Sequence, residues 1–418
     1  MTYEDVLNFC EEQDVRFIRL SYFDMYGTQK NVSVLPTELK RAFVEGISFD
    51  ASAIDGFLDE VHSDLFLYPD PNTMSILPWR SMDGSVIRMY CDIKYPDGTP
   101  FERDVRYILK KAVNTAKKMG ISVNFGSEFE FYLFKQDENG ENTYVPLDCA
   151  GYMDISPLDK GENVRREICL TLSEMGIDPE VSHHEMGPGQ NEIDFRYSSA
   201  LQAADNAATF KWVVEAIANM QGLVADFSPK PLEDQPGNGM HINMSVDQHE
   251  ELLMPFMAGI LNRIEEMTAF LNPTRHSYKR LGKDKAPSYI SWSYQNRNQL
   301  IRIPATHSTN RMELRSPDCS CNIYLAYALF IYAGLEGIEK NMVPDPCTDI
   351  VSSDTKKLPQ SLKEAKVKAL NSDWLKQVLG KDTFNKLGYK TKINTHITSC
   401  INLFLDIYLY SEYRLIYC

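Results

Sequence analysis

Acidic side chains that lie far apart in the sequence constrain the fold of this chain more than any other feature. Five glutamates and one histidine stand on short β-forming segments: Glu128, Glu130, Glu185, Glu192, His241 and Glu313. Around Glu128 and Glu130, charged and apolar residues alternate, so both carboxylates project from one face of a strand. Like charges on one face repel each other unless a cation or an arginine lies between them. The pattern predicts a sheet that gathers distant carboxylates around a cation.

A second set of residues is basic. It consists of Arg280, Arg297, Arg302, Arg311 and Arg315. Alternation places Arg311, Glu313 and Arg315 on one face of a strand, with Met312 and Leu314 on the other. Guanidinium groups suit phosphates and carboxylates, and hard carboxylate oxygens suit Mg²⁺ or Mn²⁺. The two sets together predict a site where divalent cations hold a nucleotide for phosphoryl transfer.

Two glycine-containing segments connect these residues. A Gly-Pro-Gly turn between Glu185 and Glu192 lets both carboxylates approach a common point. Gly237 and Gly239 precede an extended segment with His241, Asn243 and Ser245, and they allow the backbone to approach a ligand closely. The neighbouring pair His183 and His184 either lies near the site or packs around it, and the spacing leaves both interpretations open.

The composition limits the class of protein. Hydrophobic residues make up 43% and charged residues 24% of 418 positions, as in an ordinary globular protein. The net charge of −15 argues against general binding to nucleic acid or to anionic membranes. The longest apolar stretch, residues 323–335, is too short to cross a bilayer, and residues 1–14 do not resemble a signal peptide. Nine cysteines without CxxC spacing indicate buried free thiols, so a cytoplasmic protein is expected.

Turn-rich residues 95–100 divide the chain into a predicted small domain, residues 1–100, and a catalytic domain, residues 101–418. Helices are predicted at 3–13, 103–119, 163–175, 203–221, 251–271 and 323–341. Strands are predicted at 15–22, 30–35, 85–95, 121–135, 223–230, 241–246, 300–304 and 311–315, and residues 181–197 are predicted to be rich in β-structure. This pattern of helices and strands predicts an α+β fold.

These motifs resemble those of the type I glutamine synthetases over roughly residues 4–379. Glu-x-Glu at 128–130 is followed by His-His-Glu and Gln-Asn-Glu within 183–192. Residues 230–245 fit the ATP-region signature of that family, with Pro236 at a permitted position. Ser-Tyr-Lys-Arg, Asn-Arg, Ile-Arg-Ile-Pro and Arg-x-Glu-x-Arg then follow in the family order.

The resemblance implies an N-terminal β-grasp domain and a catalytic domain with a curved antiparallel sheet and helices. It also implies a homo-oligomer, a dodecamer of two stacked hexameric rings, with each active site between neighbouring subunits. The implied ligands of one Mg²⁺ or Mn²⁺ ion are Glu130, Glu185 and Glu192. The implied ligands of a second ion, beside the ATP phosphates, are Glu128, His241 and Glu313.

The resemblance further implies where the substrates bind. The implied ATP contacts are Asn243, Ser245, Arg297, Arg302 and Arg311. The implied glutamate contacts are Gly237, Arg280 and Arg315. The implied catalytic residues are Arg297 and Arg311 at the transferred phosphoryl group, and Asp50 and Tyr152 in the ammonium pocket. Phosphorylation of the glutamate side chain creates an acyl phosphate, from which phosphate departs readily when an amine attacks.

The amine side of the implied site departs from the family pattern. The family's Phe-Asp-Gly-Ser-Ser appears here as Phe-Asp-Ala-Ser-Ala, which retains Asp50 but introduces Ala51 and Ala53. Lys285 stands where ammonia-using members carry a glutamate on a flap, and a cation there repels ammonium and cannot accept its proton. The neighbouring Asp284 is a candidate substitute for that glutamate.

Three functions stay open on the sequence. A glutamate–ammonia ligase is favoured by Asp50 and Tyr152, and a γ-glutamyl ligase for a polyamine or alkylamine is favoured by Lys285 and Ala53. The third is a non-catalytic regulatory member, against which the intact set of acidic and basic residues counts. Residues 381–418 do not resemble the family's usual C-terminal helix, which leaves the contacts between rings open.

Overall fold

The computed structural model describes residues 1–80, 84–306 and 311–390. Within these ranges the helices are α1 (Tyr3–Glu12), α2 (Leu39–Val44), α3 (Val105–Lys118), α4 (Glu162–Glu174), α5 (Ala200–Met220), α6 (Leu253–Leu271), α7 (Ser277–Arg280), α8 (Ile323–Glu339), α9 (Leu362–Leu370), α10 (Asp373–Leu379) and α11 (Lys381–Lys390). The strands are β1 (Val15–Phe23), β2 (Gln29–Val34), β3 (Ile47–Asp50), β4 (Asp64–Pro69), β5 (Ser75–Ile76), β6 (Ser85–Lys94), β7 (Val123–Gln136), β8 (Asn142–Pro146), β9 (Pro179–His184), β10 (Gln190–Phe195), β11 (Ser198–Ser199), β12 (Leu223–Asp226), β13 (Met240–Val246), β14 (Trp292–Tyr294), β15 (Ile301–Ile303) and β16 (Met312–Leu314). The predicted α+β class is confirmed.

The helix boundaries follow local signals in the sequence. α3 begins after Asp104, whose side chain accepts the N–H of Arg106 at 2.9 Å. It ends before Gly120, whose φ of +74° is accessible to glycine at little cost. The six helices predicted from the sequence all occur, and each end lies within three residues of its predicted position.

The N-terminal sheet runs in the order β2-β1-β6-β4-β3, with β5 beside β6. β1 and β6 pair in parallel, so that Ile18 lies opposite Ile87 and Leu20 lies opposite Met89. All four side chains are fully buried, and Val6 of α1 packs into the same core. β3, β4 and β5 are additional to the predicted strands; β3 has four residues, which is too short for a clear alternation.

The second sheet runs in the order β14-β15-β16-β13-β7-β10-β9, and β8, β11 and β12 also pair with β7. β7 has 14 residues and lies between β13 and β10, which are both antiparallel to it. Phe125, Phe129 and Phe131 of β7 are buried in the core. Because side chains alternate along a strand, Glu128 and Glu130 project from the opposite face.

Helices cover the apolar side of this sheet. α8 is largely buried, as its apolar composition predicts, and it packs against α3, α5 and α6. α6 and α8 meet at glycines, where a Cβ on Gly259 would lie 2.0 Å from the carbonyl oxygen of Ala333. Any side chain at that position would therefore force the two helices apart.

Three further expectations concern the whole chain. None of the helices in the described ranges has both the length and the apolar composition needed to cross a membrane. The cysteines of those ranges are all free, and Cys10, Cys91 and Cys319 are buried, but Cys149 and Cys347 are exposed, so burial was wrongly expected for these two. The C-terminal segment predicted to be atypical begins with α11, and its residues 391–418 lie outside the described part of the chain.

Candidate active site

The strand register brings together acidic residues that are distant in the sequence. Glu128 of β7 lies opposite His241 of β13 on one side and opposite Asp194 of β10 on the other. Asn243, two residues after His241, lies opposite Glu313 of β16. His241 Nδ1 lies 3.3 Å from a carboxylate oxygen of Glu128 and 3.6 Å from one of Glu313. The structure thus groups Glu128, His241 and Glu313, the set implied for one metal ion.

A second group forms where β9 meets β10. His183 Nδ1 lies 3.6 Å from a carboxylate oxygen of Glu185, and its Nε2 lies 3.6 Å from one of Glu192. Ligand atoms of these three residues lie within 4.8 Å of one another. Glu130 lies opposite Glu192, and its carboxylate accepts the N–H of Gly239 at 2.7 Å. His183, whose position the sequence left open, therefore belongs to the site.

Burial and mutual repulsion perturb the pKa values of these groups. Burial, together with repulsion from Glu130, raises the pKa of Glu185 to about 7. Burial raises the pKa of Glu192 to about 7 and, with repulsion from Glu192, the pKa of Asp194 to about 10. Burial lowers the pKa of His241 to about 3, so its imidazole is neutral and able to bind a metal ion. A bound cation would relieve the repulsion among the carboxylates.

The chemistry of the donors fits a hard divalent cation. Asp194 Oδ1 is buried and has no hydrogen-bond partner in the described part of the chain. Its carboxylate forms a further group with Glu128 and Glu192, whose ligand atoms lie within 4.8 Å of one another. Carboxylate oxygens with one neutral imidazole suit Mg²⁺ or Mn²⁺, whereas zinc sites are richer in sulfur and nitrogen.

Two cavities open on this face, and Glu128 lines both of them. The larger has a volume of about 250 Å³, and its lining includes Tyr152, Glu185, Gly237, Arg280, Arg297 and Arg315. The smaller has a volume of about 180 Å³, and its lining includes Asp194, Asn243, Ser245 and Arg311. The residues implied for glutamate thus line one cavity together with Tyr152, and Asn243, Ser245 and Arg311, three of those implied for ATP, line the other.

Three of the arginines donate hydrogen bonds to polar side chains within the site. Arg311 Nε donates to the side-chain oxygen of Asn243 at 3.0 Å. Arg302 donates to one carboxylate oxygen of Glu313 at 2.5 Å, and Arg315 donates to the other. Glu313 is fully buried, and these two guanidinium groups balance its charge.

Arg280 has a different environment from the other arginines. Its terminal amino groups donate to the backbone carbonyls of Arg315, Ser316 and Pro317 at 2.9–3.3 Å. It also packs beneath Gly237, where a Cβ would lie 2.9 Å from Arg280 Cγ. Arg280 therefore lines the larger cavity while holding the backbone that follows β16.

Tyr152 and Asp50, the two residues implied for the ammonium pocket, lie in different places. The Tyr152 ring lines the larger cavity, with its centroid 5.3 Å from that of His183. Asp50 ends β3 in the N-terminal sheet, where its exposed carboxylate accepts the N–H of Ser52 at 2.9 Å. It does not line either cavity. A single chain therefore contributes Tyr152, but not Asp50, to this site.

The segment that carries Lys285 borders the larger cavity. Lys285 is exposed, and its Nζ lies 5.8 Å from the centroid of the Tyr152 ring. The neighbouring Asp284 carboxylate lies 3.9 Å from the Nζ of Lys230. The cation identified from the sequence thus stands beside the residue implied for ammonium.

Alternation along β10 also indicates residues that were not among the site residues predicted from the sequence. Gln190, Glu192 and Asp194 occupy alternate positions of β10 and share one face. Gln190 Nε2 donates to the carbonyl of Gly237 at 3.2 Å and so connects this strand to the glycine-containing loop. Asp148, which the sequence did not single out either, forms a buried hydrogen bond with His184.

Comparisons with known proteins agree with this architecture. Residues 14–96 match the glutamine synthetase beta-Grasp domain, and residues 102–392 match the glutamine synthetase catalytic domain. A glutamine synthetase of Methanosarcina mazei is 44% identical over 410 residues, which cover 92% of each chain. One of Clostridium saccharobutylicum is 46% identical over 359 residues, covering 82% of this chain and 81% of that protein.

Solved structures agree as well. A GmaS/ADP complex has a TM-score of 0.85 at 28% identity, and the match covers 94% of this chain and 96% of that one. A Plasmodium falciparum glutamine synthetase has a TM-score of 0.84 and 22% identity over 100% and 99% of the chains, and it supports the fold alone. The predicted β-grasp and catalytic domains with their curved sheet are confirmed. This chain belongs to the glutamine synthetase family of ligases.

Proposed function

We propose that this chain forms glutamine from glutamate and ammonia at the expense of ATP, through a γ-glutamyl phosphate. The observation that carries the proposal is the pair of cavities that share Glu128. One cavity offers arginines for a carboxylate substrate, and the other offers Asn243, Ser245 and Arg311 for a nucleotide. Two anionic substrates that enter from opposite sides would meet at a face rich in metal ligands.

The acidic groups of this face would hold two divalent ions. Glu128, His241 and Glu313 would bind one, and Glu185 and Glu192 would bind the other together with Glu130, while His183 orients their carboxylates. When bound, Mg²⁺ or Mn²⁺ supplies positive charge that offsets the repulsion between the ATP phosphates and the glutamate carboxylate.

The nucleotide would occupy the smaller cavity. Asn243 and Ser245 follow His241 at alternate positions of β13 and would contact the adenosine, and the solved GmaS/ADP complex supports nucleotide binding by this fold. Arg311, held by Asn243, and Arg302, beside Glu313, would contact the phosphates. Arg297 lines the larger cavity and would stabilise the charge of the transferring phosphoryl group.

Glutamate would occupy the larger cavity. Arg280 and Arg315 would bind its carboxylates, and Gly237 would allow its amino group to approach the loop. Arg280 would also hold the backbone of residues 315–317 in place. An oxygen of the glutamate side chain attacks the γ-phosphorus, and the bond from that phosphorus to the ADP oxygen breaks. The amine nitrogen then attacks the acyl carbon, and phosphate leaves.

The amine would enter beside Tyr152 and Glu185. Because Asp50 is exposed and lines neither of the two cavities of its own chain, we propose that Asp50 of a neighbouring copy completes the ammonium pocket and accepts the proton. This requires a homo-oligomer, and two stacked hexameric rings in the cytoplasm are the proposed form. The division of the chain near residue 100 is part of the same proposal, since it separates Asp50 from the remaining site residues.

The test is release of phosphate from Mg²⁺-ATP and glutamate, with ammonium compared with methylamine and putrescine. Glutamine formed with ammonium, and little product with the other amines, is the expected result. If product forms only with a larger amine, that amine and not ammonia is the substrate, which is the alternative that Lys285 favours. ATP binding without phosphate release with any amine would overturn the proposal of catalysis.

A further inference from the structure

A buried hydrogen-bonded pair, Asp148 and His184, lies behind the amine side of the site. Asp148 Oδ1 lies 2.9 Å from His184 Nε2. Asp148 is 5% exposed and His184 is 1% exposed. Although burial opposes ionisation, the hydrogen bonds from His184 and from the backbone N–H groups of Lys160 and Ala150, with the attraction of His184, together outweigh it and lower the pKa of Asp148 to about 2. The sequence did not single out Asp148, and none of the roles proposed above uses either residue.

The pair connects the segments that carry the amine-side residues. The Asp148 carboxylate also accepts the N–H of Gly189 at 3.0 Å, that of Ala150 at 3.3 Å and that of Lys160 at 2.9 Å. His184 Nδ1 lies 2.7 Å from the carbonyl oxygen of Glu185. Hydrogen bonds to this one carboxylate thus connect three segments: the loop before Tyr152, the residues just before α4, and the turn between Glu185 and Glu192.

A further bond closes this arrangement. The N–H of Met153 donates to the carbonyl of His184 at 3.0 Å, so Tyr152 lies between two anchored residues, Ala150 and Met153. Glu185 also donates its N–H to the carbonyl of Gln190 at 2.8 Å, and this bond closes the turn between these two residues. The hydrogen bonds of Ala150 and Met153, which flank Tyr152, therefore run to Asp148 and His184 respectively.

The nucleotide side does not share these contacts. Asn243, Ser245 and Arg311 stand on or beside β13 and β16, and the hydrogen bonds of Asp148 and His184 reach neither strand. From this asymmetry we propose that Asp148 and His184 are positioning residues that set the geometry of Tyr152, Glu185 and Glu192. They would thereby control amine and metal affinity, but not nucleotide affinity. This inference rests on the proposed function for its amine part.

The test compares Asp148→Asn and His184→Gln with Asp205→Asn. Asp205 is also buried and forms a two-fold hydrogen bond with Arg106, away from the site, so its substitution controls for the loss of a buried ion pair. Mn²⁺ binding to the metal-stripped protein is measured by calorimetry, together with the KM values for ammonium and ATP and the melting temperature.

The expected result is a loss of Mn²⁺ and ammonium affinity with little change in ATP affinity. Asp148→Asn and His184→Gln should weaken Mn²⁺ binding at one site by about tenfold or more, as loss of outer contacts to metal ligands generally does. The KM for ammonium should rise by a comparable factor with the KM for ATP nearly unchanged. Asp205→Asn should lower the melting temperature without either change.

Equal changes in the KM values for ammonium and ATP, or a lower melting temperature with unchanged Mn²⁺ binding, would overturn the proposal. If Asp148→Asn does not fold, His184→Gln decides by the same criteria, because it retains the carboxylate. If the wild-type protein forms no glutamine, the proposed function fails, but Mn²⁺ binding to the three variants still decides whether the pair positions Glu185 and Glu192.

Discussion

Two clusters of partly buried charge in this molecule contain carboxylates whose pKa values shift in opposite directions. In the first, the Arg106 guanidinium lies 2.9 Å from each of Asp70, Asp92 and Asp205 and joins the N-terminal sheet to α5. Burial alone would raise the pKa of Asp70, but Arg106, together with Lys110 and the N–H of Asn72, outweighs it and lowers that pKa. In the second, burial and mutual repulsion raise the pKa values of Glu185 and Glu192 to about 7.

The opposite pKa shifts indicate that the first cluster stabilises the fold, whereas the second is suited to bind a cation. Arg106 supplies a hydrogen bond to each of its carboxylates, so that cluster is complete within the folded chain. Glu192 lies close to Glu185 and to Asp194, and His183 is a close basic partner of Glu185 and Glu192. Asp194 keeps a buried oxygen without a hydrogen bond in the described residues. Such a group becomes balanced only when a cation from solution joins it.

The largest effect is expected when one carboxylate of the second cluster is removed. Glu192→Gln keeps the shape but loses a proposed metal ligand, so turnover with Mg²⁺-ATP should fall by about a thousandfold or more. The melting temperature of the metal-stripped protein should rise, because one repelling charge is gone. Steady-state kinetics and thermal unfolding measure both quantities. Near-normal turnover would contradict the assignment of Glu192.

Substitution in the first cluster, around Arg106, is expected to lower stability and to leave turnover nearly unchanged. Arg106→Met leaves three carboxylates without their shared cation, so the free energy of unfolding should fall by about 3–5 kcal/mol. Turnover per folded molecule should stay close to that of the wild type, because Arg106 is remote from both cavities. Urea unfolding and active-site titration separate the two quantities, and a stability equal to that of the wild type would show that the cluster is not structural.

Charge at the mouth of the larger cavity should change the use of ammonium. Lys285→Glu replaces a cation beside Tyr152 with a proton acceptor, so kcat/KM for ammonium should rise by roughly tenfold. Lys283→Glu, in the same segment, makes the same charge change and is the matched control; it should have a smaller effect. If kcat/KM for ammonium rises equally in both variants, the effect comes from the net charge of the segment and not from the position of the new carboxylate.

The smallest effect is a dependence of stability on pH in the metal-stripped protein. Glu185 and Glu192 have pKa values of about 7 when folded, and the unfolded chain releases these protons near the ordinary value of 4.5. The folded state therefore binds more protons than the unfolded state, and the melting temperature should rise by a few degrees from about pH 8 to about pH 6.5.

Metal ions should remove this pH dependence. Above about pH 6.5 the opposite contribution of His241, which is neutral when folded, is small. Saturating Mg²⁺ displaces the protons from the carboxylates, so the slope should vanish or reverse. A melting temperature that falls with decreasing pH in the metal-stripped protein would contradict the raised pKa values.

Much of the fold was predictable from local patterns. The helices follow from apolar periodicity and from end signals such as Asp104 and Gly120. The site strands follow from alternation, which placed Glu128 and Glu130 on one face of β7 and Glu313 between the apolar Met312 and Leu314 of β16. β3 was not predictable in this way, because four residues with mixed exposure show no period.

The sequence by itself determined which side chains are available for chemistry, because residue type and alternation are local properties. Only the tertiary structure decided which of them meet, because register joins positions as distant as Glu128 and His241, which are 113 residues apart. It placed His183 with Glu185 and Glu192, placed His184 with Asp148, and left Asp50 outside the cavities of its own chain. It also decided the pKa values, since these depend on burial and on neighbours that packing brings together.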